Sequence, residues 1–546
     1  MWVGHCIRRF PVALLALGLG LGLGIGEAGA AEEVWRYQVR QGDTLIALSQ
    51  QFLQPSRRWQ ELQRLNRVAN PRRLQPGSEL QMPVSWLARE ASFAQTLFVR
   101  GDVQLLRAGQ APQPLQVGTE LRSGDLLRSG EQSSATLRFA DGSRLLLSPQ
   151  SELTLEQLMV MGRSGLHDTR LLLQRGGADS KVQPQGRPSY ELRTPGINLG
   201  VRGTEFRVQA DASGSRAAVL EGRVAAGRGG REELALNAGQ GIVAKPGEKL
   251  QARPLPAAPS LSAAPALVER IPLQLAWAAA PGAKAYRAQV FADGDKEQLL
   301  LDGRFEQPQA SWADLPDGRY RLRVRALDDA GLEGLSSEVA FKLKARPEPP
   351  FIRQPAPDEK IYGDSLSLAW TAPQQAQAYR LQIAATPDFA TPLVDRADLK
   401  DTELKLAIAH GHYHWRLASI AAGPDQGPWG EAQQVTLKPV PPAPPSLPPD
   451  LEGKELKLRW GASSLPGARY QAQWSSDPEF KALLSEQTLD QPSLVLPRPG
   501  PGRYWLRVRT VDADGHPGPF GTPQGIEIPR PWWPWLIPAG LLLLAL

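Results

Sequence analysis

Tyr37-Gln38-Val39-Arg40-Gln41-Gly42-Asp43-Thr44-Leu45, closed by Asn70-Pro71-Arg72-Arg73-Leu74-Gln75-Pro76-Gly77-Ser78-Glu79-Leu80-Gln81-Met82-Pro83, is the stretch from which the chain is read. Val39 ends a short strand, and Gly42-Asp43 is a turn signal with Asp43 placed to cap a helix. Leu45, Ala47, Leu48 and Phe52 recur at helical spacing, and Trp59, Leu62, Leu65 and Asn66 fit a second helix. Asn70-Pro71 and Pro76-Gly77 then interrupt the chain. Leu80 and Met82 alternate as a closing strand. The expected order is strand, helix, helix, strand, in a unit near the lower size limit for independent folding.

Residues 34–86 so arranged resemble a LysM module. The resemblance implies a shallow groove between two loops, Gly42 to Leu45 and Val68 to Leu74, that binds N-acetylglucosamine-containing glycan such as peptidoglycan. The implied glycan-binding residues are Gly42, Asp43, Thr44, Leu45, Val68, Asn70 and Leu74. Main-chain polar groups would meet the acetamido groups while apolar side chains cover the sugar faces. Gly42, Asp43, Asn70 and Pro71 would also occupy these turns in a copy that binds nothing.

Ahead of this module, Met1 to Ala30 reads as a signal peptide. Arg8-Arg9 supplies the positive start, Val12 to Ile25 the apolar run, and Ala28-Gly29-Ala30 the small-residue cleavage site. Gly18-Leu19-Gly20-Leu21-Gly22 lacks the preceding strand and the following Lys-Ser/Thr of a phosphate loop. The single cysteine, Cys6, would leave with the signal, so the mature chain is expected to hold no disulfide and no thiol catalyst. The expected location is the periplasm. A length of 546 residues implies several domains.

The formal net charge is +6, and residues 34–86 alone carry eight arginines against Asp43, Glu61 and Glu79. The positive excess therefore sits on the segment expected to meet the wall, whose peptide stems carry carboxylates. No basic–aromatic stripe on a recognisable fold points to nucleic acid.

From about 95 to 250 the helical period disappears. Ala135, Leu137 and Phe139 alternate with polar residues, and Asp141-Gly142 turns the chain into Leu145 and Leu147, a hairpin signature. Glycines then mark turns about every ten residues, as in an all-β sandwich or a solenoid-like stack. Six strings resemble a FecR domain. They are Gly124 to Gly130, Phe139 to Ser143, Arg193-Thr194-Pro195, Val201-Arg202-Gly203-Thr204-Glu205-Phe206, Val219 to Val224 and Ala238 to Gly241. That family relays iron-siderophore status across the inner membrane to a sigma factor. Here the resemblance covers the periplasmic β-domain, and the N-terminal segment reads as a signal peptide instead of a sigma-binding segment. Arg202, Thr204 and Glu205 read first as turn and strand residues, and second as a protein-contact surface.

An internal repeat of about ninety residues governs the remainder. Trp277, Trp370 and Trp460 are each followed by a tyrosine (Tyr286, Tyr379, Tyr470) and later by Tyr320, Tyr413 and Tyr504. Alternation puts each late tyrosine, and the residue two beyond it, inward against the tryptophan. The units 256–346, 347–438 and 439–530 resemble fibronectin type III modules, joined by proline-rich segments such as Pro439 to Pro449. His410, His412 and His414 alternate, a spacing that can chelate a transition metal. No carboxylate or cysteine completes a set, so no metal or other cofactor is expected.

Residues 531–546, Pro531 to Leu546, set three tryptophans beside an apolar run, as at a membrane interface. The expected roles are a short inner-membrane anchor, an interfacial plug or a contact with a membrane partner. The expected fold is multidomain and mainly β: a βααβ LysM module, an all-β FecR-like domain and three β-sandwich repeats. The expected function is a non-enzymatic adaptor that holds peptidoglycan and presents its β-domains to an envelope protein. The alternatives are a signalling protein acting through the FecR-like domain and a wall-hydrolase accessory. Against an enzyme, the mature sequence offers no serine elbow, no cysteine and no His-Glu zinc motif.

Overall fold

The computed structural model describes residues 33–184, 190–229, 231–294, 298–452 and 454–530. Both the expected signal peptide and the hydrophobic tail lie outside them. The chain is mainly β and falls into two compact units, one ending at Leu343 and one starting at Lys344.

At the start of the first unit, strand Val34–Gln38 runs antiparallel to Glu79–Pro83, with Tyr37 opposite Leu80. Between them lie helices Leu45–Phe52 and Trp59–Asn66. Leu45, Leu48, Phe52, Leu62, Leu80 and Met82 are buried as one core. Asn66 locks the second helix to the closing strand. Its Nδ2 donates to the Gln81 carbonyl at 2.8 Å and its Oδ1 accepts from the Gln81 N–H at 2.6 Å. Leu65, expected on the core face, is 43% exposed, because Leu62 alone of this short helix fills the core.

The next region, Arg89 to Pro254, is a closed β-structure. Its hairpins alternate between two ladders. One contains Ala94–Arg100, Ser134–Phe139, Arg144–Leu147, Glu205–Asp211, Gly214–Glu221 and Gln240–Ala244. The other contains Val103–Leu106, Leu126–Ser129, Glu152–Met161, Tyr190–Arg193, Asn198–Val201, Arg223–Arg228 and Arg231–Asn237. Strand His167–Lys181 belongs to both, its first part pairing in the second ladder and its last part in the first. The crossing point is Gly176, at φ +88°, where an added Cβ would stand 2.4 Å from the Ser151 Cα. Only glycine fits there. Alternating leucines, among them Leu137, Leu145, Leu153, Leu155, Leu171 and Leu192, fill the space between the ladders. The expected Asp141-Gly142 hairpin forms, with Leu145 opposite Leu137 and Leu147 opposite Ala135.

Each of the three repeats is a two-sheet sandwich of fibronectin type III-like order. In the second, Ile352–Gln354, Ser365–Trp370 and Glu403–Ala407 face a sheet built on Ala378–Ala384, Gly411–Ala421 and Gln433–Lys438. The tryptophans pack edge-on against the first tyrosine of each repeat, with ring centroids 5.6, 5.6 and 5.7 Å apart. The late tyrosines point inward as well, Tyr413 sharing the core of Trp370, and they carry a further bond. Tyr320, Tyr413 and Tyr504 each donate a hydroxyl hydrogen bond to the carbonyl four residues earlier, at 2.6, 2.6 and 3.1 Å. This is the tyrosine-corner device, which pins a strand to its own approach loop.

On the outer face of each sandwich a glutamine, an acid and an arginine recur. Gln289, Gln382 and Gln473 donate to Asp302, Asp395 and Glu486. Arg416 stacks over Phe389 and Trp429 in the second repeat, and Arg507 over Phe480 and Phe520 in the third. Trp429 stands across from Ala418, whereas the matching pair in the first repeat is Ser336 and Arg325. Arg323 stacks over Phe291 in the first repeat, but with serine in place of the second aromatic, the face of that repeat receives the FecR-like domain. Arg325 pairs with Asp179 at 2.6 Å and Glu333 at 2.8 Å, and Arg207 donates to the Gly334 carbonyl at 2.8 Å and to Ser336 Oγ at 2.9 Å. Leu146 packs against Phe291 and Leu299 beside this network.

In the second unit, Tyr362 of the second repeat stacks on His516 of the third, with centroids 3.7 Å apart. The Tyr362 hydroxyl donates to Asp512 at 2.6 Å, and Lys360 pairs with Asp514 at 2.6 Å.

Candidate glycan-binding site

The two loops expected to form the groove are brought together. The N–H of Leu45, first residue of helix Leu45–Phe52, donates to the Pro71 carbonyl at 2.9 Å. Thr44, not Asp43, caps that helix, its Oγ1 accepting from the Ala47 N–H at 3.2 Å. Asp43 folds back instead. Its Oδ2 accepts from the Tyr37 hydroxyl at 2.8 Å and from the Arg40 N–H at 2.6 Å. Burial, followed by the hydrogen bond to Asp43, pushes the Tyr37 phenol up. The first loop is thus held open by a strand tyrosine, a contact that no local turn rule announces.

The second loop is fixed at both ends. Val68 is clasped by Gln63, whose carbonyl accepts the Val68 N–H at 3.1 Å and whose Nε2 donates to the Val68 carbonyl at 2.9 Å. Arg67 just before it is left-handed at φ 51° and ends the second helix. Asn70 makes an Asx turn, its Oδ1 accepting from the Arg72 N–H at 3.0 Å. Gly42 and Asn70 are exposed, Asp43, Thr44, Val68 and Leu74 half-buried. Leu45 is fully buried, so its side chain supports the groove from below and cannot cover a sugar. Among the described residues, the N–H groups of Gly42, Thr44, Ala69, Asn70 and Leu74 on these two loops make no hydrogen bond.

Behind the groove the module is docked on the FecR-like domain. Met161 and Leu166 belong to the same core as Leu48 and Phe52. They flank the Gly162–Ser164 turn, where an added Cβ on Gly162 would lie 3.4 Å from the Phe52 carbonyl. The Phe52 carbonyl itself accepts from the Ala88 N–H at 2.8 Å. A glycine-rich turn set between two apolar residues was the only sequence signal of this contact.

Several motif residues of the FecR-like domain make internal contacts. Asp125 is buried, takes a two-point ion pair from Arg107 at 2.8 and 3.0 Å, and accepts from the Arg122 N–H. Thr204 is buried, Glu205 pairs with Lys181 at 3.1 Å, and Arg202 reaches Glu33 at 3.8 Å. His410 precedes strand Gly411–Ala421, His412 is exposed and His414 is buried. Among the described residues no three metal-ligating side chains converge.

Against known families, residues 37–83 match the LysM domain and residues 125–225 match FecR protein. Both are binding or signalling domains without catalytic chemistry of their own. The first match spans the βααβ module. No curated protein matches the chain. Among solved structures, the chicken CNTN1 FN1–FN3 domains share 15% identity over 47% of this chain and 94% of theirs, with a TM-score of 0.24. A putative anti-sigma factor from Parabacteroides distasonis shares 14% identity over 24% of this chain and 59% of its own, with a TM-score of 0.21.

Proposed function

We propose that this protein is an exported, non-enzymatic adaptor of the cell envelope. Residues 37–83 hold an N-acetylglucosamine-containing glycan of the wall, and the β-domains behind them engage an envelope protein. The observation that carries this reading is the junction of the two loops through Leu45 and Pro71, beside five main-chain donors that make no hydrogen bond among the described residues. Export through residues 1–30 and a membrane contact through 531–546 belong to the same proposal.

Sedimentation of the purified mature chain with peptidoglycan sacculi tests it. Thr44→Pro removes a groove N–H and the cap together, so Asn70→Pro serves as the second variant, removing one groove donor outside the helix. Retained folding by circular dichroism with unchanged sedimentation in Asn70→Pro refutes the assignment of that donor. Absence of sedimentation in the parent chain refutes the wall contact altogether.

One observation favours a signalling role over plain tethering. The LysM core continues into Met161 and Leu166, so the glycan-binding module and the FecR-like domain share apolar packing. Hydrogen exchange at Glu152–Met161 with and without chitin oligomer distinguishes the two. Altered protection supports a relay, and unchanged protection supports a tether.

A further inference from the structure

We infer that the groove selects anionic wall polymer over neutral amino-sugar chains, and that Arg40, Arg67, Arg72 and Arg73 make the selection. This rests on the glycan-binding reading of residues 37–83 and names the class of glycan within it.

The basis is the pairing of charges on the module. Of its eight arginines, Arg36 pairs with Glu79 at 3.4 Å and Arg57 with Glu61 at 2.9 Å. Arg58 precedes the second helix, and Arg64 in that helix donates its Nε to the Gln60 carbonyl at 3.4 Å. The other four stand on or next to the groove loops: Arg40 before Gly42, Arg67 before Val68, and Arg72 and Arg73 after Asn70-Pro71. All four are exposed, and none makes an ion pair among the described residues. The one acid on these loops is Asp43, and its Oδ2 is already bonded to the Tyr37 hydroxyl and the Arg40 N–H. The rim therefore carries four guanidinium groups that make no ion pair among the described residues, against the single carboxylate of Asp43.

Backbone bonds of the second loop hold the main chain from which two of them start. The Asx turn at Asn70 holds the Arg72 N–H, and the Asn70 carbonyl accepts the Arg73 N–H at 3.2 Å. Arg67 is set by its left-handed cap. Guanidinium groups so placed suit carboxylates, which they bind in a two-point fashion. Peptidoglycan bears such carboxylates on every peptide stem, whereas chitin bears none. The sugar contact comes from main-chain groups and is charge-independent, so the two contributions separate experimentally.

The test uses the full mature chain with three probes: chitin oligomer, intact sacculi, and sacculi whose carboxylates have been amidated with carbodiimide and ammonium. Expected results are binding to all three, with intact sacculi held roughly ten-fold tighter than amidated ones at low salt. That advantage should shrink severalfold between about 50 and 500 mM salt, as the screening length contracts. Arg72→Gln/Arg73→Gln should lose about two- to ten-fold on intact sacculi, from exposed pairs worth about 1.4- to 3-fold each, and nothing on chitin oligomer. Equal binding to intact and amidated sacculi overturns the inference while leaving the glycan reading in place. Binding to intact sacculi alone, with none to chitin oligomer, overturns the glycan reading and shows a purely ionic contact. Loss of chitin binding in the double variant shows damage to the groove, and Arg67→Gln then decides: loss confined to sacculi upholds the inference, and no loss there overturns it.

Discussion

Arg325→Met should unsettle two domains at once. Arg325 is 2% exposed and lies in the first sandwich, yet its Nη2 meets Asp179 of the FecR-like domain at 2.6 Å while its Nη1 meets Glu333 at 2.8 Å. Removing the guanidinium leaves Asp179 and Glu333 facing each other. Glu333 keeps Arg287 at 2.9 Å, while Arg207 stands 4.0 Å from each of the two acids. Methionine matches the volume but supplies no charge. Removing one partner from a buried ion pair costs about 3–5 kcal/mol, mostly from the carboxylates left uncompensated. The assay is native-state hydrogen exchange of the mature chain, followed at Gly318–Leu327 and at Glu205–Asp211. Protection should fall in both strands. A cycle with Asp179→Asn should return an interaction energy of about 0.5–3 kcal/mol. If protection falls in the sandwich alone and the two substitutions add within about 0.5 kcal/mol, the junction is a contact without energetic coupling.

Ser336→Trp should restore the aromatic cover seen in the second repeat and displace Arg207 from Ser336 Oγ. The expected outcome is a loss of about 1–3 kcal/mol from overpacking, read in the denaturation midpoint. Glu333 and Asp179 are both held below their ordinary values: burial works against the shift, but Arg287 and Arg325 outweigh it for Glu333, as Arg325 and Arg207 do for Asp179. Their contribution is therefore complete above the unfolded-state values of about 4.3 and 3.9 and is lost as pH falls through the folded ones. The denaturation midpoint should drop steeply below about pH 4, and Glu333→Gln should flatten that slope. Met161→Ala should cost about 2–5 kcal/mol and loosen the LysM module, measured as exchange at Leu45–Phe52. His516→Ala should remove the stack on Tyr362 and widen the distribution of angles between the second and third repeats, measured by small-angle scattering.

Much of the fold is legible in the chain because its local signals agree with one another. Gly42, Asn70-Pro71 and Pro76-Gly77 mark the turns of the small module, and Asp141-Gly142 marks the hairpin between two alternating strands. The repeated tryptophans and tyrosines announce the sandwiches: the early tyrosine rings meet the tryptophans edge-on, and Tyr413 and Trp415 lie inward in the same core as Trp370. What is not legible depends on partners distant in sequence. Asp43 reads as a helix cap, but Tyr37 on the neighbouring strand draws it away and leaves the cap to Thr44. Leu45 reads as a groove residue and is core, since the first residue of an amphipathic helix can face either way. Arg207, Arg287 and Arg325 look like ordinary strand charges until the two domains meet, and periodicity carries no information about that meeting.

The bare serine at position 336 has a consequence for the order of the repeats. The three sandwiches share a fold but are not interchangeable parts. A second or third repeat moved into first place would bring Trp429 or Phe520 into the space that Arg207 occupies. Shuffling these units should therefore give well-folded sandwiches that no longer seat on their neighbour, and duplication of the first would leave one copy with an uncovered charged face.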